Sequence, residues 1–202
     1  MKTSKNRSNV VFLTELAVLT AVVLILQLGG IAIPLPFLAT PVSLVLLPIV
    51  LGSMHLGPGA GAWLGAVFGI ITIIGGVSGK DAFTAILLGD HPILTVLLCL
   101  VKAIAAGLIA GLVYKALKKK NEYLALYTAS VLAPVINTGI FILGALAMSD
   151  TLSANFVADG QTVIYFLVIG CAGLNFVFEL LVNVLFAPAL KRVTDVLGKG
   201  KI

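Results

Sequence analysis

The chain has 202 residues, of which 60% are hydrophobic and 10% charged, with a formal net charge of +5 and a mean hydropathy of +1.17. A soluble domain of this length needs far more polar surface to cover its core, so a water-soluble globular protein is excluded. Nucleic acid is excluded as a partner as well, because a binding patch for it requires a soluble basic face.

The apolar runs predict an all-α integral membrane protein. A single membrane domain, residues 1–202, is expected as a six-transmembrane-helix bundle in contact with membrane lipid, each helix near the roughly 20 residues that cross about 30 Å of hydrocarbon. The spans are read at residues 10–28, 41–54, 58–74, 93–117, 123–148 and 163–190. No A-x-A-like cleavage site follows the first run, which is expected to remain as a span. The second run is short. Gly52-Ser53-Met54-His55-Leu56-Gly57-Pro58-Gly59 reads as a tight turn into the third span, the alternative being one helix kinked there.

Lysines and arginines gather in three clusters: Lys2, Lys5 and Arg7; Lys115, Lys118, Lys119 and Lys120; and Lys191, Arg192, Lys199 and Lys201. With six spans all three clusters fall on one side. The opposite loops carry Lys80 with Asp81, Asp90, Asp150 and Asp159. Positive charge is retained inside, so both termini are expected to be cytoplasmic. On the outer side, Ile31 to Phe37 is apolar and proline-rich, and residues 75–90 and 149–161 are longer and more polar. These three segments are either a lid over an outward cavity or plain connectors.

Cys99 and Cys171 lie inside apolar runs and read as small hydrophobes. With two separated histidines they form no metal-ligand cluster, and neither a metal nor another cofactor is expected. No nucleophile–base arrangement and no G-x-x-x-x-G-K-[ST] phosphate loop is present, so no catalytic residues are assigned and any ATP hydrolysis belongs to a partner. Gly61, Gly65 and Gly69 form one small-residue stripe, and Ala103, Gly107 and Gly111 another. Such stripes let helix backbones approach closely in lipid. Trp63 reads as an interface anchor, His91 as a solvated cap, and His55 as a turn residue with a coupling role open to it.

Ionisable groups at membrane depth are costly and mark functional sites. Lys102 and Glu179 are the two candidates; Glu15 lies near a span end and reaches the interface. At 1.5 Å per residue, Lys102 lies about 20 Å above Lys115, Glu179 about 18 Å above Lys191, and Asn137 about 21 Å above Tyr123. Three helices therefore bring polar groups to one level. Asn175, Glu179 and Asn183 recur every four residues and share a helix face. Lys102, Asn137, Asn175 and Glu179 are accordingly the candidate substrate-binding residues. The other reading is a Lys102–Glu179 ion pair that holds helices together.

Several segments resemble the substrate-binding, or S, components of energy-coupling factor (ECF) transporters. They are Leu16-Ala17-Val18-Leu19-Thr20-Ala21, residues 47–53 and 56–62, the run 107–115, the pair Asn137-Thr138, Asn175 to Glu179, Asn183 and Pro188. The resemblance implies a six-helix subunit of the bacterial cell membrane that binds a small-molecule vitamin near its outer side. It implies partners too: a transmembrane coupling subunit, on which Ala17 and Ala21 would pack, and two ATPase subunits. Residues 48–69 look most like the pantothenate-type branch. The cation at Lys102 suits a carboxylate-bearing vitamin, whereas Glu179 opposes an anion; riboflavin and a thiamin precursor stay open. The alternative function is a self-sufficient small proton-coupled transporter or channel using Lys102 and Glu179.

Overall fold

The structure, a computed structural model, describes residues 2–29 and 44–199. Among these residues every regular element is a helix: α1 Lys2–Leu28, α2 Leu46–His55, α3 Pro58–Val77, α4 Ala82–Asp90, α5 Pro92–Lys118, α6 Glu122–Leu146 and α7 Ser149–Asn155. The last span begins as α8, Val163–Tyr165, passes through a π-helical stretch, Phe166–Gly173, and continues as α9, Leu174–Lys199. The apolar segment Ile31 to Phe37 and the start of the second predicted span, 41–43, lie outside the described residues.

Helix starts follow from local chemistry. Pro58 and Pro92 open α3 and α5, where a missing N–H costs nothing. Asp81 caps α4 by accepting from the Thr84 N–H at 3.1 Å, and Asn121 caps α6 by accepting from the Leu124 N–H at 3.0 Å. These caps make a helix of residues 82–90, a segment expected to be a lid or a plain connector. The segment 149–161 likewise contains a helix, α7.

The sequence predicts six spans; among the described residues five helical segments are long and apolar enough to cross a membrane: Asn9–Leu28, Pro58–Val77, Pro92–Lys118, Glu122–Leu146 and Val163–Val196. The exception is α2. Its 10 residues rise about 15 Å, half the hydrocarbon thickness. It lodges inside the bundle, with Leu46 and Ile49 buried against α1 and α3, and Val50 against α5, α6 and α9. Gly57 turns the chain at φ 105°, a conformation that disfavours any side chain, and α3 starts at the next residue. Residues 46–77 are thus a helical hairpin, in which Ser53 faces Gly61 and Gly52 faces Leu64.

The tightest packing joins α3 to α5. A Cβ on Gly61 would lie 2.5 Å from the Gly107 carbonyl oxygen, and one on Gly69 2.6 Å from that of Cys99. Between them, a Cβ on Gly65 would strike the Ala103 carbonyl. The two small-residue stripes therefore mate in antiparallel register, backbone against backbone. Water gives no drive to helix association inside lipid, so contact of this kind supplies the cohesion.

One end of the bundle collects the basic helix ends. Lys118 of α5 and Lys191 of α9 lie 3.8 and 3.5 Å from the Glu122 carboxylate, and His55 lies 3.2 Å from that of Glu15 in the first half of α1. The other end carries α4 and α7 and the polar cavity described next.

Candidate functional site

A cavity of about 410 Å³ lies between α1, α3, α5, α6 and α9, with the turn before α4 and α4 itself at its rim. Lys102, Asn137, Asn175 and Glu179, predicted from three separate spans, all line it. Similar helical rise from the basic end brings Lys102, Asn137 and Glu179 to one depth, with Asn175 one turn farther out, and α3, held close by its glycines, closes the wall through Phe68 and Thr72.

The polar groups are short of partners. Glu179 is only 5% exposed, and its carboxylate makes no hydrogen bond or ion pair among the described contacts. Lys102 is near enough to act on it electrostatically, yet the two do not form a direct ion pair. Instead the ammonium group sits 5.0 Å from the centroid of the Phe141 ring, a cation–π contact. Asn137 is buried, and its side-chain oxygen has no hydrogen-bond partner. The wall therefore presents the Lys102 ammonium and at least two acceptors, the Glu179 carboxylate and the Asn137 carbonyl, with a second cation, Lys80, at the rim. Leaving such groups unsatisfied at membrane depth costs several kcal/mol per group, on the order expected for polar atoms in hydrocarbon.

Beneath the cavity the polar face continues. Asn183 donates from Nδ2 to the Glu179 backbone carbonyl at 2.8 Å, and its own Oδ1 is buried without a partner. Ser130 of α6 lies at the same height, each residue being equally far along its helix from the Lys191–Glu122 contact. Its hydroxyl is also buried without a partner. Pro134, four residues on, has no N–H for the Ser130 carbonyl.

The rim is fastened by polar contacts. The Thr95 hydroxyl of α5 shares its proton between the carbonyls of His91 at 2.8 Å and Leu87 of α4 at 2.9 Å. The Thr151 hydroxyl of α7 donates to Asp90 at 2.8 Å, and His91 contacts Asp150 at 3.2 Å. The Thr151 backbone N–H, and then His91, hold the Asp150 carboxyl below the usual carboxylate range. Phe83 of α4 packs on Phe141 and on Phe156, with ring centroids 5.9 and 5.0 Å apart. Phe141 thus touches both the Lys102 ammonium and the roof.

Other residues singled out in the sequence fall elsewhere. Ala17 and Ala21 lie on the exposed face of α1, away from the cavity. Trp63 is exposed, and its indole N–H donates to Thr20 at 3.3 Å. His55 and Glu15 form a pair that sequence reading missed, since 40 residues separate them. Phe141, Thr72, Thr138 and the rim pair Lys80 and Asp81 also line the cavity and were not among the candidates. Thr138 had a signal, as the neighbour of Asn137; Phe141, an aromatic in an apolar run, had none.

Five candidate membrane spans among the described residues, with a largely apolar cavity that holds a few polar side chains at one end, define a multi-pass membrane protein with room for a small molecule. A family model for the substrate-specific component of ECF transporters matches residues 11–190, and the chain belongs to that family. Proteins of this family are substrate-binding, non-catalytic subunits of a membrane-embedded complex, with ATPase activity in partner subunits. No curated protein matches the chain.

Proposed function

We propose that this chain selects a small, water-soluble vitamin of the pantothenate type for ATP-driven import across the bacterial cell membrane. In this reading Lys102 takes the ligand carboxylate, and Glu179, Asn137 and Asn175 receive its hydroxyl and amide donors. The observation that carries the proposal is the pairing of Lys102 with two partner-poor acceptors, Glu179 and Asn137, in a single cavity of about 410 Å³. A ligand with one carboxylate and several donors satisfies both demands, and the cavity's other cation, Lys80, lies at the rim beside Asp81. Both termini are then cytoplasmic, in accord with the lysine-rich ends gathered opposite the cavity.

A thermal-shift screen of the purified chain against B vitamins and their precursors tests the reading. Pantothenate is expected to raise the melting temperature by several degrees, because a ligand at about 100 times its Kd stabilises by about 2.7 kcal/mol. No shift with any member of the panel would refute vitamin binding, and a shift with riboflavin or a thiamin precursor alone would refute the pantothenate assignment.

Transport further requires a transmembrane coupling subunit and two ATPases, and Ala17 and Ala21 are the proposed contact with the former. Their exposure on α1 leaves a flat strip against which a partner helix can lie closely. Ala17→Leu with Ala21→Leu is expected to abolish co-purification with the coupling subunit while pantothenate affinity stays within about twofold, as distant surface changes leave energetics nearly additive. Intact assembly would remove these residues from the interface.

A further inference from the structure

At the end of the bundle opposite the first cavity, a second one of about 300 Å³ opens between the α2–α3 turn and the last turns of α5. Lys115, Lys118 and Lys119 line one side, and His55, Gly57 and Pro58 line the other. Gly111 lets the start of α3 rest directly on α5, since a Cβ there would lie 2.7 Å from the Pro58 Cα. The positive end of the α3 dipole therefore faces the lysines.

The nearby carboxylates do not neutralise this wall. Glu15 is engaged by His55 at 3.2 Å. Glu122 is divided between Lys118 at 3.8 Å and Lys191 at 3.5 Å. Lys115 and Lys119 have no carboxylate within ion-pairing distance among the described residues. One turn from Lys115 on α5, toward the membrane interior, Leu112 is 50% exposed. Charge at the mouth and apolar surface beside it match an amphipathic anion.

We propose that this basic cavity binds a phosphate group, supplied by the headgroup of an anionic phospholipid whose acyl chains run along α5 past Leu112. Basic pockets at the ends of membrane helices recognise such headgroups, with each lysine near the surface contributing about 1 kcal/mol. The site is separate from the vitamin cavity: Lys115 lies about 20 Å from Lys102 along α5.

Titration of the purified chain in neutral detergent with phosphatidylglycerol, phosphatidylcholine and inorganic phosphate, read by native mass spectrometry and thermal shift, tests the proposal. Phosphatidylglycerol is expected to bind in preference to phosphatidylcholine, and Lys115→Gln with Lys119→Gln to weaken it by about 25-fold. Lys120→Gln, which removes a neighbouring charge outside the cavity, should leave affinity unchanged. Equal binding of the two lipids, an undiminished affinity in the double variant, or an equal loss in Lys120→Gln overturns the site. Inorganic phosphate binding as tightly as the lipid overturns the lipid source. Pantothenate binding is read in parallel and should be unaltered, so failure here and failure of the vitamin assignment are distinguishable.

Discussion

Lys102→Gln is expected to weaken pantothenate binding by about 100-fold, near 3 kcal/mol, the scale of losing one partner of a desolvated charged contact. The unliganded protein should keep its melting temperature within a few degrees. Its ammonium rests on the Phe141 ring without a direct ion pair to Glu179, so removing it breaks no salt bridge of the resting state. Calorimetry with two ligands separates the roles. Pantothenate should lose affinity, while its alcohol analogue, which lacks the carboxylate, should bind weakly and almost equally to both proteins. An equal loss for both ligands would mean that Lys102 shapes the cavity without contacting the carboxylate. A large fall in melting temperature with unchanged affinity would restore the structural reading of Lys102 and Glu179.

Gly65→Leu should be among the most destructive single substitutions in the bundle. A Cβ at that position meets the Ala103 carbonyl, and its next neighbours there are also backbone atoms of α5. Backbone cannot swing aside as a flexible side chain can, so α3 and α5 must separate along the whole stripe. Overpacking of a close contact costs about 1–3 kcal/mol or more, and here it also pulls Phe68 and Thr72 away from the Lys102 wall. The expected outcome is a melting temperature lowered by about 5 °C or more, on the usual scaling of stability to melting point, with vitamin binding lost. Gly139→Ala is the matched control, because a Cβ there meets nothing within 4 Å. It should leave stability unchanged or slightly raised, since alanine favours a helix by about 1 kcal/mol over glycine. If Gly65→Leu folds and binds as well as that control, the close α3–α5 contact is not what shapes the cavity.

Much of the candidate site was legible because it depends on periodicity and rise. Asn175, Glu179 and Asn183 are one turn apart, so their shared face follows from 3.6 residues per turn wherever the helix lies. Lys102, Asn137 and Glu179 sit at similar distances from basic or aromatic span ends, and a membrane forces those ends to a common level. The glycine stripes announced a close helix contact for the same reason. The partners within that contact were not legible: nothing in the spacing says that Gly65 meets Ala103. Nor does any local signal pair His55 with Glu15, set Ser130 beside the level of Asn183, or bring Phe141 to Lys102.

By itself, then, the sequence determined that the chain lives in a membrane, which long stretches are helical, and which polar groups share one helix face. These properties belong to single segments and to the solvent around them. Only the tertiary structure decided that α2 is a short buried helix, that α4 sits at the cavity rim with α7 fastened to it, and that Lys102 rests on an aromatic ring in place of pairing with Glu179. Those outcomes depend on how closely neighbouring helices approach and how far a side chain can reach, and both are set by packing between segments distant in the chain.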